Sequence, residues 1–363
     1  MKYSFPYLGN VLVYKKLLEM LGYEVVVPPR PTQKTIDLGT KNSPEFACFP
    51  YKMLMGNYIE ACEQGAGIIV SSGGHGPCRA GFYGELHERT LRHMGYDVEL
   101  IIFDSIKRDL RGDVSKFFRL KGKNSLRKVI LIGRVILRML KDLDEFDKKI
   151  HTMIPYETVH GSCLKAFEEI RSSYDRCWTM KETETAYEEA KELLASIKLE
   201  EVDERDKIRI GVVGEIFVVI ESSINMDIEN TLCSLGCEAE RSQYIGEWVD
   251  HNFFGKGREK EILKMGEDYI KIIIGGHAKQ NVGHIVDYSK RGFDGVVHLM
   301  PFACLPELVS QSIIPRISED YGIPVLTLAI DEQSGKANSM TRIEAFVDLI
   351  KNSKRKKMAA KTA

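Results

Sequence analysis

Six times along the chain an amphipathic stretch with helical spacing stops at a glycine and runs straight into a block of Val, Ile and Leu. The segments are Lys15–Val27, Ile59–Ser72, Thr90–Phe103, Ile228–Glu240, Tyr288–Met300 and Ile317–Ile330. Glycine takes the left-handed position that ends a helix. An unbroken aliphatic block suits a strand buried on both faces. Helix, glycine and strand in alternation predict parallel sheets covered by helices, an α/β fold. Three units fall in residues 1–105 and three in 206–352, which predicts two Rossmann-like parallel-sheet lobes. Further strands are expected at Lys207–Val213 and Ile270–Ile274.

Residues 106–205 read differently. They are rich in Lys, Arg, Glu and Leu, with helical spacing over Ser125–Lys149 and Thr185–Lys198, and predict a helical insert between the lobes. Near the end, Thr341 and Glu344 have the spacing of a capping box, which would start the last helix there. Beyond it, residues 353–363 read as a basic, disordered tail.

Composition narrows the class. The chain has 363 residues, 44% hydrophobic and 28% charged, with a formal net charge of -1. That is an ordinary globular mix, without the clustered basic surface that nucleic acid requires. No leader-like apolar segment and no run of ~18 apolar residues is present, so neither secretion nor a membrane span is expected and the cytoplasm is. In a reducing compartment the eight cysteines are metal ligands, reactive thiols or small core residues rather than a disulfide framework.

Candidate chemistry follows from what lies after each strand, because ligands bind open α/β sheets beyond the carboxyl ends of the strands. Gly73-Gly74-His75-Gly76-Pro77-Cys78-Arg79 follows one strand, and Pro301-Phe302-Ala303-Cys304 follows another. Cys48 stands just before the helical pattern of Tyr51–Glu63, where a helix N-terminus favours thiolate. Three thiols on three loops, one from the far lobe, suit a site between the lobes. Soft thiolates select an iron–sulfur cluster, zinc or copper, while three small buried hydrophobes remain an equal reading. No Cys-x-x-Cys pair occurs, so a zinc ribbon is not indicated. His75 and Cys163 are weaker ligand candidates. Gly275 and Gly276 make either a plain turn or a close backbone approach to an anion or cluster. Glu215 is either a ligand-binding carboxylate or a helix-start anion. Cys62, Cys177, Cys233, Cys237 and His298 read as core. Neither a P-loop nor a strand followed by Gly-x-Gly-x-x-Gly is present, which argues against an intrinsic NTPase of that type and against a dinucleotide dehydrogenase.

The same residues carry a family resemblance. ACFPYKMLMGNYIEA, GGHGPCRAGFYGE, HLMPFACLPELVSQ and LAIDEQSGKANSMTRIEAFVDL resemble the 2-hydroxyacyl-CoA dehydratase superfamily, in its branch related to CoA protein activases. The resemblance covers Leu8–Glu88 and Ile208–Ile350, with a poor match in the helical middle. It implies a [4Fe-4S] cluster held by three cysteines with one iron open, or the sulfide-bridged double cubane of some relatives. Carried onto this chain, the ligands are Cys48, Cys78 and Cys304, with Gly73, Gly74, Gly76, Arg79, Glu215, Gly275 and Gly276 forming the loops around cluster or substrate. It also implies electrons from a separate ATP-dependent activator with an actin-like fold, assembly as a homodimer or heterodimer, and either a low-potential reduction or a radical dehydration. A cluster carrier or electron relay without catalysis is the alternative function.

Overall fold

The computed structural model describes residues 1–73, 78–103, 110–272, 274–333 and 335–362. The N-terminal lobe runs β1 (Lys2–Ser4), α1 (Val11–Met20), α2 (Gln33–Lys41), α3 (Phe49–Glu63), β2 (Ala66–Ser72), α4 (Tyr83–His93) and β3 (Glu99–Phe103). Its three strands pair in parallel in the order β1-β2-β3. Four helices follow: α5 (Leu110–Lys121), α6 (Leu126–Met153), α7 (Ser162–Arg176) and α8 (Met180–Ala195). They close around a core of their own that includes Met139, Leu143, Phe146, Ile170 and Tyr174.

The C-terminal lobe begins with β4 (Ile208–Gly214), α9 (Ile216–Ile220), α10 (Ile228–Ser234) and β5 (Cys237–Arg241). It continues through α11 (Ile245–Val249), α12 (Glu259–Glu267), α13 (Ala278–Lys290) and β6 (Gly295–Pro301), and ends with α14 (Leu305–Tyr321), β7 (Val325–Ile330) and α15 (Lys336–Thr362). The four strands are parallel in the order β5-β4-β6-β7. Every residue of the central strand β6 is buried, as its unbroken apolar run requires. The α/β class with two parallel-sheet lobes and a helical insert is therefore the observed architecture.

Three details differ from the sequence pattern. Residues 270–274 form no strand among the described residues; Ile270 is buried against α13 while Ile272 is exposed, so the aliphatic run caps a helix instead of joining a sheet. The first unit ends in a single parallel bridge between Tyr3 and Val25 rather than a strand. The last helix starts at Lys336, so Thr341 lies inside it and bonds back to Ala337 O at 3.2 Å. That helix runs on to Thr362 instead of giving way to a disordered tail after residue 352. Lys354 explains part of the continuation: its ammonium bonds both carboxylate oxygens of Asp294, at 2.9 and 3.0 Å. No described helix is long and apolar enough to cross a membrane.

The lobes meet through α3. Phe49 and Met53 project from it into the core of the C-terminal lobe. Lys52, one turn on, is buried and forms an ion pair with Glu332, just after β7. Helix α3 is thus held by both lobes, and so is the residue at its start, Cys48.

Candidate functional site

Three cysteines stand at three helix starts. Cys48 is the N-cap of α3, Cys304 the N-cap of α14, and Cys78 caps the 3-10 turn Arg79–Phe82 that leads into α4. Cys78 follows β2 and Cys304 follows β6, so both lie beyond the carboxyl ends of parallel strands. Each sulfur therefore stands at the N-terminal end of a helical segment, where backbone N–H groups converge.

Arg79 gathers the three loops. Its guanidinium donates to the carbonyl of Phe46, two residues before Cys48, and to the carbonyl of Ala303, directly before Cys304. One side chain adjacent to Cys78 therefore bonds the loops of the other two cysteines, across the lobe boundary. Planar, forked donors suit arginine to this bridging. Ala303 has φ 60°, a left-handed conformation that non-glycine residues avoid. Such strain persists only where the surroundings fix it, and the Arg79 bond to its carbonyl is one such restraint.

Cys48 and Cys304 are buried in one small cluster with Tyr51, against Ala47 and Tyr83. The Tyr83 hydroxyl and the Cys48 sulfur are hydrogen-bonded. Behind them Tyr51 packs edge-on to Tyr83 at 5.1 Å and stacks on His87 at 4.1 Å. Cys78 lies beside the Gly276 turn. A Cβ placed on Gly276 would stand 3.9 Å from the Cys78 sulfur and 2.6 Å from Pro306. Only a glycine, here at φ +56°, fits that gap. The close approach that this turn makes is to Pro306, with the Cys78 sulfur just beyond it.

Two carboxylates face the thiols. Glu215, the N-cap of α9, accepts from the N–H groups of Phe217 and Val218 at 3.0 and 3.2 Å. Burial pushes its carboxyl up to about 7. Glu307 begins α14 with no solvent exposure and sits in a closed polar chain. It accepts from Asn281 Nδ2 at 3.0 and 2.8 Å and pairs with His298 Nε2 at 2.8 Å, while Asn281 Oδ1 accepts from Gly214 N at 3.1 Å. His298 is thus a satisfied core histidine. Burial raises all three thiol pKa values. Nearby donors oppose the rise: the Tyr83 hydroxyl at Cys48, and the backbone N–H groups of Ala80 at Cys78 and Glu307 at Cys304. Glu307 and Glu215 push Cys304 further up. Burial thus favours the protonated thiol at all three positions.

Among the described residues no three His, Cys, Asp or Glu side chains converge tightly enough to hold a single metal ion. A cubane asks for a different arrangement, one thiolate per iron, with sulfurs spread over roughly 6–7 Å given metal–sulfur bonds of ~2.3 Å. The three cysteines stand at helix starts whose loops Arg79 joins.

The remaining predicted residues divide. Gly73 donates to Phe103 O at 2.9 Å, continuing the β2–β3 ladder into the Cys78 loop. Gly74, His75 and Gly76 lie outside the described residues. Cys163 sits apart in the core of the helical region, where burial and Glu157 push its thiol up to about 12. Cys62, Cys177, Cys233 and Cys237 also lie in apolar cores. Tyr83, Asn281 and Glu307 were not singled out in the sequence. Their only signal is position: Tyr83 five residues after Cys78, and Glu307 in the first turn after Cys304.

Comparison with known proteins bears on the family of the chain. The model of the CoA enzyme activase uncharacterised domain matches residues 1–70. No curated protein matches. The model of the 2-hydroxyglutaryl-CoA dehydratase D-component matches residues 119–350. That match runs through the helical middle, which the sequence motifs alone had left as a poor match. It takes in well over half the chain, including Glu215, Cys304 and Glu307, and its family is one that carries iron–sulfur clusters and works with a separate activator. The chain belongs to the 2-hydroxyglutaryl-CoA dehydratase D-component family.

Proposed function

We propose that this protein is a cluster-bearing component of the 2-hydroxyacyl-CoA dehydratase type, acting in the reducing cytoplasm. In this reading Cys48, Cys78 and Cys304 hold a [4Fe-4S] cluster or one half of a double cubane. A bound cluster supplies low-potential one-electron chemistry at an iron without a protein ligand, with electrons drawn from a separate ATP-dependent activator of actin-like fold. The substrate is a small acyl-CoA or a related reducible compound. The observation that carries the reading is the Arg79 staple, which ties the loops of three helix-capping cysteines across two lobes.

The chain's own residues have definable tasks. Arg79 fixes the loop spacing and adds positive charge beside thiolates. The backbone N–H groups at the three helix starts do the same with partial charges. Tyr83 orients the Cys48 sulfur. Glu215, with its carboxyl near neutrality, can hold or release a proton beside the site at working pH. Glu307, Asn281 and His298 anchor the start of α14, and with it Cys304. Phe46, Phe82 and Phe302 are 79, 68 and 57% exposed around these loops, and exposed apolar groups of this size support docking of a protein partner over the site.

The test is electron transfer. Protein purified without oxygen is mixed with the ATP-dependent activator of a dehydratase system and followed by visible absorbance. Bleaching that needs ATP and is lost in Arg79→Ala supports the proposal. Absorbance indifferent to activator and ATP contradicts it.

A further inference from the structure

The helical region carries its charge in two blocks. Between residues 114 and 141 stand nine Lys or Arg and no Asp or Glu. Helix α8 and the segment after it, residues 180–206, hold ten Asp or Glu against four Lys or Arg. The formal net charge of -1 for the whole chain hides this separation.

The basic block has an exposed apolar face. Leu126, Ile130 and Leu131, in the first turns of α6, are 53, 55 and 53% exposed. On the opposite side Ile132, Val135 and Ile136 enter the core of the helical region. At ~100° per residue, the three exposed residues and Arg127, Arg134 and Arg138 fall within an arc of about 140°. The start of this helix is fixed rather than frayed: Ser125 Oγ accepts from Lys128 N at 3.2 Å, and Asn124 Nδ2 donates to Leu21 O at 2.8 Å. Arg138 is paired with Asp142, whereas Arg127 and Arg134 have no ion-pair partner among the described residues.

An acidic row adjoins this face. Arg138 lies over the ring of Tyr187, on α8, at 4.7 Å. Glu184, one turn before Tyr187, begins an exposed row with Glu188 and Glu192 at four-residue spacing. Glu188 is paired within its own helix, to Lys191 at 2.9 Å, while Glu184 and Glu192 have no ion-pair partner among the described residues. Cations set among large aliphatics and a row of carboxylates thus meet at the Arg138–Tyr187 contact.

We infer that two copies of the chain associate through this surface about a two-fold axis. A two-fold beside the Arg138–Tyr187 contact lays the basic row of one copy on the acidic row of the other. It repeats the same contact in reverse, so the assembly closes as a dimer. Leu126, Ile130 and Leu131 then leave water. Other occupants fit less well, because nucleic acid or an acidic lipid surface drawn to the basic row would be repelled by the glutamates beside it. The inference does not rest on the cluster.

Sedimentation velocity on the full chain, purified without oxygen, reads the association. The parent should be a dimer with Kd below about 10 µM, weakened at least about tenfold as salt rises from about 0.05 to 0.5 M. Arg127→Glu with Arg134→Glu, and separately Glu184→Lys with Glu188→Lys, should each raise Kd about a hundredfold or more by setting like charges face to face. Mixed in equal amounts, the two variants should again form a dimer, since each reversed row then faces its opposite. Recovery on mixing also shows that both variants are folded. A monomeric parent, a dimer that either reversal leaves intact, or reversed variants that stay apart when mixed overturns the inference. A monomeric parent that co-sediments with phosphatidylglycerol vesicles would overturn it in favour of a lipid surface.

Discussion

Helices α2 and α3 touch through a pair of glycines, and enlarging one of them tests how Cys48 is positioned. A Cβ on Gly56 would stand 2.0 Å from Thr35 O and 3.1 Å from Gly39 N. Carbon-to-oxygen contacts settle at roughly 3.3 Å, so Gly56→Ala must part the helices by about 1.3 Å. The obstacle is backbone and has no rotamer by which to yield. Overpacking of this kind costs ~1–3 kcal/mol, and a rigid obstacle puts it near the upper end. Alanine recovers ~1 kcal/mol of helix propensity, for a net loss of about 2 kcal/mol. Gly133, on α6, has no atom within 4 Å of its Cβ position, so Gly133→Ala keeps the propensity gain alone and stabilises by ~0.5–1 kcal/mol. Urea unfolding of the two variants beside the parent gives the comparison. Because α3 starts at Cys48, Gly56→Ala should also lower the iron retained per chain. A Gly56→Ala protein as stable as the parent would refute the reasoning.

Two further outcomes follow from buried polar groups. Glu307→Ala leaves Asn281 Nδ2 and His298 Nε2 without their acceptor; at ~1–3 kcal/mol for each orphaned group, unfolding free energy in urea should drop by about 2–6 kcal/mol, and an unchanged midpoint would contradict the network. Burial raises the Asp144 carboxyl to about 7, so between its unfolded value near 4 and about 7 the folded chain binds more proton than the unfolded chain. Stability therefore falls as pH rises through that window, by at most ~1.4 kcal/mol per pH unit for this group, and levels off above it. Asp144→Asn should flatten the profile of stability against pH over the same range; an unaltered slope would show that Asp144 is not the group responsible.

Much of this was legible in the chain, for identifiable reasons. Glycine-terminated helices running into aliphatic blocks located β2, β3, β5, β6 and β7, because a helix stop and a fully buried strand each leave a local mark. The Ile270–Ile274 run left the same mark without being a strand. A short apolar block reads alike whether it pairs in a sheet or plugs a helix end, and only tertiary packing against α13 decides. The short β1 has too few residues to show a period. Thr341 and Glu344 match a capping box by spacing, but helix propensity upstream let α15 begin at Lys336. At the site, the position of Cys48 before a helix, and of Cys78 and Cys304 beyond strand ends, could be read from the chain; that the latter two also start helical segments could not. The Arg79 bridges could not, since they join carbonyls 33 and 224 residues away. The Asn281–Glu307–His298 chain was hidden for the same reason: each member alone looks like an ordinary residue of a helix or strand.

The account stands on the three cysteines acting together on one cluster. Iron and acid-labile sulfide counted on protein purified without oxygen, for the parent and for single alanine variants, test this most directly. The parent should hold about four irons and four sulfides per chain, or about twice that for a double cubane. Cys48→Ala, Cys78→Ala and Cys304→Ala should each lose the metal and the brown colour, while Cys62→Ala, altering a thiol in the N-terminal core, keeps both. A parent protein free of iron and sulfide, or a Cys304→Ala variant with its full complement, would contradict the account.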